Sequence, residues 1–395
     1  MPSIVWMSRW RGLRARVRSA VPAGIRRLAP LSWRMRHASP WDLNAAERDP
    51  LFERYAHTRP KGPLRHHIGV TASSQTAEAR NLAAAAAELG GRVSFFDPDD
   101  VDWSEQVRQA GCDGHLLRVR HGRTSDWSLD QARLAYLHLL GIPTWPTPSE
   151  AFLYEDKARF TWWLAARGVP HVPTYTFVDL DSAYAYIETA EYPLVVKTRH
   201  DSGGHGVERI ANRGEARAVA RSFLQGRFHR RHLPDWRDEE HGALIVQPFL
   251  PVTTEHRVIR LGDAWFAHAK LRAPGGWRHS GSGHRDLDFP GFEVLERGLA
   301  VAGRIGLHCG AIDILTLEDG SWVVGEVQTW YGGVRVMNHH GAPHVAWRQA
   351  DGWRLEEGMP HVHRGQSLRL TAFDDWLGRG APAADLLDSP IAPPP

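Results

Sequence analysis

From residue 64 onward, short apolar runs alternate with longer segments whose apolar residues recur every three or four positions. The run HHIGVTAS (66–73) reads as a short strand, and TAEARNLAAAAAELG (76–90) follows as a helix that stops at Gly90. RVSFFDPDD (92–100) and DGHLLRVR (113–120) read as two more strands. SLDQARLAYLHLLG (128–141) is a second helix, and IPTWPTPSE (142–150) closes the unit with three prolines. Alternating strands and helices over 64–148 predict a small parallel-sheet α/β domain.

The pattern then changes. EDKARFTWWLAARG (155–168) is a helix with acids at its start and Gly168 past its end. A strand-rich stretch follows, broken by one helix from Arg213 to Leu224. RFHRRHLPDWRDEEHG (227–242) is polar and aperiodic, as a long surface loop would be. Strands resume from Ala243 to Val327, with a helix at GFEVLERGLAVAGRIG (291–306), and the residues from 356 to the closing SPIAPPP have the composition of a tail. No internal repeat is visible.

Composition narrows the class. The 395 residues are 42% hydrophobic and 24% charged, an ordinary globular balance that calls for two or three domains. No run approaches the ~18 apolar residues of a membrane span or forms a signal-peptide core. Cys112 and Cys309 lack metal-site spacing and read as reduced thiols of a cytoplasmic protein. A formal net charge of +3 gives no reason to expect nucleic acid, but Met1 to Arg36 carries nine arginines and no acid. Such an arm suits contact with an anionic lipid surface or RNA, or else is a disordered or loosely docked extension. The 23 histidines include no zinc-ligand spacing. Only four of the 48 basic residues are lysines: Lys61, Lys157, Lys197 and Lys270. Where arginine serves almost everywhere, a retained lysine marks a need for a compact, flexible point charge.

Two stretches carry chemistry. In PLVVKTRHDSGGHGV (193–207) a lysine ends an apolar run and a glycine-rich loop follows. A Walker loop has its lysine after the glycines, and a dinucleotide fingerprint opens a helix, so neither fits. What remains is strand, lysine, glycine loop, strand: backbone N–H groups free to approach a phosphate beside a point charge, or a plain hairpin loop with an incidental lysine. In GAIDILTLEDGSWVVGEVQ (310–328), Asp319-Gly320 signals a two-residue hairpin turn. That turn pairs Glu318 with Ser321 and sets Asp313 opposite Glu326, with Gln328 on the same face. Facing carboxylates among Ile, Leu and Val repel unless a cation separates them or one stays protonated, and hard oxygens suit Mg²⁺. A solvated hairpin face is the bland alternative.

Taken in order, these strings resemble the ATP-grasp superfamily, in particular its glutathione synthetase and RimK-like carboxylate–amine ligase branch. EDKARF…GVPHVPTYTF, PLVVKTRHDSGGHGV, LIVQPFLP, EHRVIRLGDAWFAHAK, GLHCGAIDIL and GEVQ follow one another as the family's parts do, over residues 64–335. The resemblance implies an α/β fold of two α+β lobes sandwiching ATP, preceded by a small parallel-sheet domain. It divides the chain into a basic extension (1–63), a pre-ATP-grasp domain (64–148), an N-terminal lobe with the glycine loop (149–242), a C-terminal lobe with the metal site (243–355) and a tail (356–395).

The roles it implies fall on particular residues. Lys157 and Lys197 hold ATP phosphates under a loop of Gly203, Gly204 and Gly206. Backbone from Gln247 through Phe249 to Leu250 reads adenine, and Glu255 reaches the ribose. Arg257 and Lys270, or Arg272 two residues on, face the γ-phosphate or the acyl group. Asp313, Glu326 and Gln328 bind two Mg²⁺ ions, for which Mn²⁺ could substitute. The family has Asn at the Gln328 position and often a Pro-Gly turn where this chain reads TWYGGVRV. The implied reaction joins a small-molecule or peptide carboxylate to an amine through an acyl phosphate, releasing ADP and phosphate, and a homodimer is the usual state of such relatives. A kinase on the same fold and a non-catalytic ATP-binding protein are the alternatives.

Overall fold

The computed structural model describes residues 64–73, 77–120, 124–200, 206–225, 243–330, 344–357 and 364–381. The first sheet is parallel, with strands β1 (Ile68–Thr71), β2 (Val93–Phe96), β3 (Gly114–Leu117) and β4 (Thr144–Trp145) in the order β2-β1-β3-β4. Every residue of β1 and β3 is buried, as parallel strands covered on both faces require. The crossovers are α1 (Ala77–Leu89), α2 (Trp103–Ala110) and α3 (Thr124–Leu139). Helix α2 was not legible in the pattern: it is two turns long and buries only Trp103 and Val107.

Residues 148–153 and 157–166 form α4 (Pro148–Leu153) and α5 (Lys157–Ala166). An antiparallel sheet follows, of β5 (Tyr175–Phe177), β6 (Leu194–Thr198), β7 (Val207–Ile210) and β8 (Leu244–Pro248) in the order β5-β8-β6-β7. Its period-two alternation sorts the two faces. Leu194, Val196, Leu244 and Val246 pack with Ala183, Ile187, Ala220 and Phe223 of helices α6 (Leu180–Thr189) and α7 (Arg213–Leu224). Val195, Lys197 and Gln247 point to the opposite face, which lines a cavity.

The largest sheet comprises β9 (Val252–Leu261), β10 (Ala264–Lys270), β11 (Arg285–Asp286), β12 (Cys309–Leu317), β13 (Trp322–Gln328), β14 (His344–Gln349) and β15 (Gly352–Glu357). Its order is β13-β12-β9-β10-β14-β15, with β11 also paired to β10. One face carries Val258, Ala267, Ile312 and Ile314 against α8 (Phe292–Ile305), whose Leu295, Val301 and Ile305 are fully enclosed. Each such side chain contributes about 1.5–3 kcal/mol by burial. Gly298 allows the close approach, because a Cβ there would lie 2.6 Å from a methyl of Val258. The other face carries the polar residues of the same strands.

The stretch read as a C-terminal tail contains α9 (Arg364–Gly378). Its Leu370, Phe373 and Trp376 enter the core beside Trp145, Leu116 and Leu117 of the first sheet. Asp374 accepts from the backbone N–H groups of Arg65 and His66, both at 2.9 Å, and from Arg65 Nε at 3.0 Å. Cys112 and Cys309 are buried free thiols. Among the described residues no helix is long and apolar enough to cross a membrane. The Arg-rich arm and the 227–242 loop lie outside the described residues.

Candidate active site

Two lysines face the cavity from different elements. Lys197 is the fourth residue of β6, and Lys157 is the first residue of α5. Their spacing is fixed by Asp156, the N-cap of α5, whose side chain is fully enclosed and accepts from the N–H groups of Ala158 and Arg159. The same carboxylate accepts from Arg199 Nη2 at 2.7 Å, and Lys157 N–H donates to the Arg199 carbonyl at 3.1 Å. The end of β6 and the start of α5 are thereby tied together. Burial, then the charge of Lys157, push the Lys197 ammonium down to about 8, against the weaker pull of Glu326, Glu255 and Asp313. Lys197 makes no hydrogen bond or ion pair with any described residue. A desolvated ammonium beside a second one is a site for an anion.

Across the cavity the sheet presents its polar face in two rows. Glu326, Asp313, Arg257 and His268 are direct neighbours across β13, β12, β9 and β10. Leu315, Glu255, Lys270 and Arg285 form the next row across β12, β9, β10 and β11. The carboxylate pair expected at 313 and 326 is present, by a different route. The turn has three residues, not two: Leu317 N–H donates to the Ser321 carbonyl at 2.9 Å around Glu318–Gly320, with Gly320 at φ 82°. That shifts the register by one, and a bulge at Gly325 shifts it back before Glu326.

The charge on Asp313 is met by side chains. Arg257 forks onto it at 2.7 and 2.8 Å, and Lys270 reaches its second oxygen while also bonding Glu255 at 2.7 Å. Burial by itself would raise the Asp313 carboxyl; Arg257 and then Lys270 overcome it and hold the group well below the usual carboxylate range. Facing carboxylates therefore do not by themselves demand a metal here. Glu326 and Gln328 differ: neither side chain bonds a described residue, and both line the cavity. Among the described residues no three His, Cys, Asp or Glu side chains gather into a cage. The oxygens of Asp313, Glu326 and Gln328 fit Mg²⁺ in the way that ion is usually held, by one or two carboxylates plus water and substrate phosphate.

The cavity between these walls has a volume of about 520 Å³. The segment from Gln247 to Leu250 forms one end. Gln247 Nε2 donates to Thr174 Oγ1 at 2.8 Å, and Phe249 N–H is taken by the Pro193 carbonyl at 3.1 Å. Among the described residues the Leu250 N–H has no backbone partner. Glu255 is buried and held by Lys270 and the Ser280 hydroxyl. Arg272 lines the cavity too and donates to His279 Nε2 at 3.2 Å. Gly206, at φ 63°, packs its Cα against Thr198, where a Cβ would lie 2.4 Å from Oγ1; Gly203 and Gly204 lie outside the described residues.

Four participants escaped sequence reasoning. Asp156 and Arg199 are 43 positions apart and signal nothing until the fold joins them. Trp277 and Ser280, in a loop without a motif, close the cavity, with Trp277 5.8 Å from the Phe249 ring.

Comparison with known proteins decides the fold. No family profile matches the chain. Over 144 residues it is 28% identical to a phosphoribosylamine–glycine ligase of Yersinia pestis, covering 34% of this chain and 33% of that one. The chain thus spans about a third of the length of the curated relatives it matches. The RimK domain ATP-grasp protein of Sphaerobacter thermophilus superposes with a TM-score of 0.52 at 17% identity, over 78% of this chain and 98% of that one. This chain has the ATP-grasp fold. A second neighbour, an ADP complex of N5-carboxyaminoimidazole ribonucleotide synthetase, gives a TM-score of 0.52 at 12% identity, over 80% and 99% of the two chains. In this chain the two lysines and the two carboxylates lie on facing walls of one cavity.

Proposed function

We propose that the protein is an ATP-dependent ligase that joins a carboxylate to an amine and releases ADP and phosphate. The observation that carries this reading is Lys197, a desolvated ammonium beside Lys157 and without a hydrogen-bond partner among the described residues, facing Glu326 and Asp313 across one cavity. The ligase named in Yersinia pestis and the synthetase structure with ADP bound support it.

In this reading Lys157 and Lys197 hold the phosphates, and the Gln247–Leu250 segment offers the Leu250 N–H to adenine, with Glu255 toward the ribose. Asp313, Glu326 and Gln328 would hold Mg²⁺, which supplies charge neutralisation at the phosphates. Arg257 and Lys270 sit at the carboxylate row, where they can turn from Asp313 to an incoming oxyanion. They would stabilise charge on the phosphoryl group as a substrate carboxylate attacks it. The product of that step is an acyl phosphate; the amine then displaces phosphate, and the amine proton leaves with it. No nucleophilic serine or cysteine is required.

The test is an untargeted mass assay. Protein is incubated with ATP, Mg²⁺ and a small-molecule extract, with Lys197→Met as control. A lysine-dependent product equal to two metabolites minus water, formed with ADP, is expected. A phosphorylated metabolite would replace the ligase with a kinase, and ATP binding without any product would leave a non-catalytic role.

A further inference from the structure

The cavity holds more positive charge than the two lysines and the carboxylate row account for. Lys270 and Arg257 are matched by Glu255 and Asp313. Arg272 and Arg285 also line the cavity, and neither has a carboxylate partner among the described residues. Among the described residues Arg272 gives its N–H groups to neutral acceptors, His279 Nε2 and the Val252 carbonyl. Burial lowers the pKa of His279, which favours the neutral ring that accepts this bond. Arg285 lies directly opposite Lys270, on the cavity side of the β10–β11 pair.

The loop between them is ordered by its own bonds. The Ser282 hydroxyl donates to the Leu271 carbonyl at 2.6 Å and accepts from His284 N–H at 3.1 Å. Gly281 and Gly283, at φ 77° and 78°, take the left-handed conformation that lets Ser-Gly-Ser-Gly turn back tightly. In the sheet, β11 lies three strands from β12, about 14 Å at the usual ~4.8 Å spacing. The backbone of Arg285 is thus well removed from the Asp313–Glu326 end. A second cavity of about 470 Å³ shares Val252, Lys270, Arg272 and His279 with the first.

We infer that Arg272 and Arg285 form a second anion subsite, which binds a phosphate or carboxylate that the substrate carries away from its reacting group. The inference rests on the ligase reading and assigns its substrate to the class of polyanionic small molecules. Two planar guanidiniums suit an oxyanion with several acceptor oxygens.

Calorimetry tests this with inorganic phosphate and with citrate as probes, each titrated into protein saturated with Mg²⁺ and the non-hydrolysable analogue AMP-PNP. One anion per chain is expected, weakened at least tenfold in Arg272→Gln and in Arg285→Gln and weakened by added salt. The tighter of the two probes distinguishes a phosphate-bearing from a carboxylate-bearing substrate. AMP-PNP affinity should change less than twofold in Arg285→Gln, whose side chain is exposed. Wild-type anion affinity in both variants, or binding of neither probe to wild type, overturns the subsite. Failure of AMP-PNP to bind would count against the ATP reading instead. The same comparison on nucleotide-free protein would then still decide whether Arg285 holds the anion.

Discussion

Lys197 lines the cavity with Val195 and Val207, and Lys157 faces the same space. Its depressed pKa, about 8, has two consequences of opposite kind. In the nucleotide-free protein, the unfolded chain binds the proton more tightly than the folded one between pH 8 and the unperturbed value of ~10.4. Stability from this group is therefore lowest below pH 8 and rises as the pH climbs through that window. A phosphate favours the charged form, so nucleotide binding must draw a proton in. At pH 8 the uptake should be about half a proton per chain, falling toward zero at pH 6, as read by calorimetry of Mg·ADP binding in buffers of different ionisation enthalpy. Affinity should weaken as the pH rises above 8. Lys197→Met should abolish the uptake and weaken binding at least tenfold. Unchanged uptake in that variant would remove Lys197 from the phosphate site. Asp313 makes a second case. Asp313→Asn would leave the Arg257 and Lys270 charges poorly matched, a loss of about 3–5 kcal/mol in urea unfolding if the buried network acts as a unit. A loss under 1 kcal/mol would show that the network relaxes toward solvent.

At the level of elements, the facing carboxylates were legible, though the turn beside them was not. Asp319-Gly320 announces a hairpin, and Glu326 comes out opposite Asp313 because the three-residue turn and the Gly325 bulge offset one another. Gly325, a glycine inside a strand, is the local sign of a bulge. The α5 cap was half legible: the acids before Lys157 mark a helix start, whereas the bond from Arg199 to Asp156 depends on the fold. That bond makes a prediction at this scale. Asp156→Ala should cost about 2–4 kcal/mol, combining a lost cap with two arginines left without their carboxylate. It should also weaken Mg·ADP binding, since Lys157 is the next residue. Asp156→Asn keeps an acceptor for the Ala158 and Arg159 N–H groups and should recover part of the stability. Equal losses in the two variants would mean that the charge alone fixes this corner.

For the whole molecule, the informative element is α9, which composition assigned to a tail because the prolines and glycines around it dominate the reading. Its own apolar spacing is helical, with Leu370, Phe373 and Trp376 three positions apart and Leu377 four from Phe373. Phe373 and Trp376 stack at 5.6 Å and meet Trp145 at 5.1 and 5.6 Å, so the last helix completes the core around the first sheet. Asp374 then holds Arg65 and His66, joining residues more than 300 positions apart. If the helix is structural, deleting the chain from Arg364 onward removes three large buried side chains at about 1.5–3 kcal/mol each, comparable to the 5–15 kcal/mol that stabilises a whole domain. That truncation should not yield folded protein. The single change Phe373→Ala should cost about 3–5 kcal/mol and keep the fold. Mg·ADP at a hundredfold excess over its Kd should return about 2.7 kcal/mol, because the ligand binds only the native state. Thermal unfolding with and without nucleotide reads both effects together. If the ligand rescue of Phe373→Ala equals that of wild type, α9 supports the first sheet without shaping the nucleotide cavity. A smaller rescue would mean that the core under Trp145 also sets the geometry of the cavity walls.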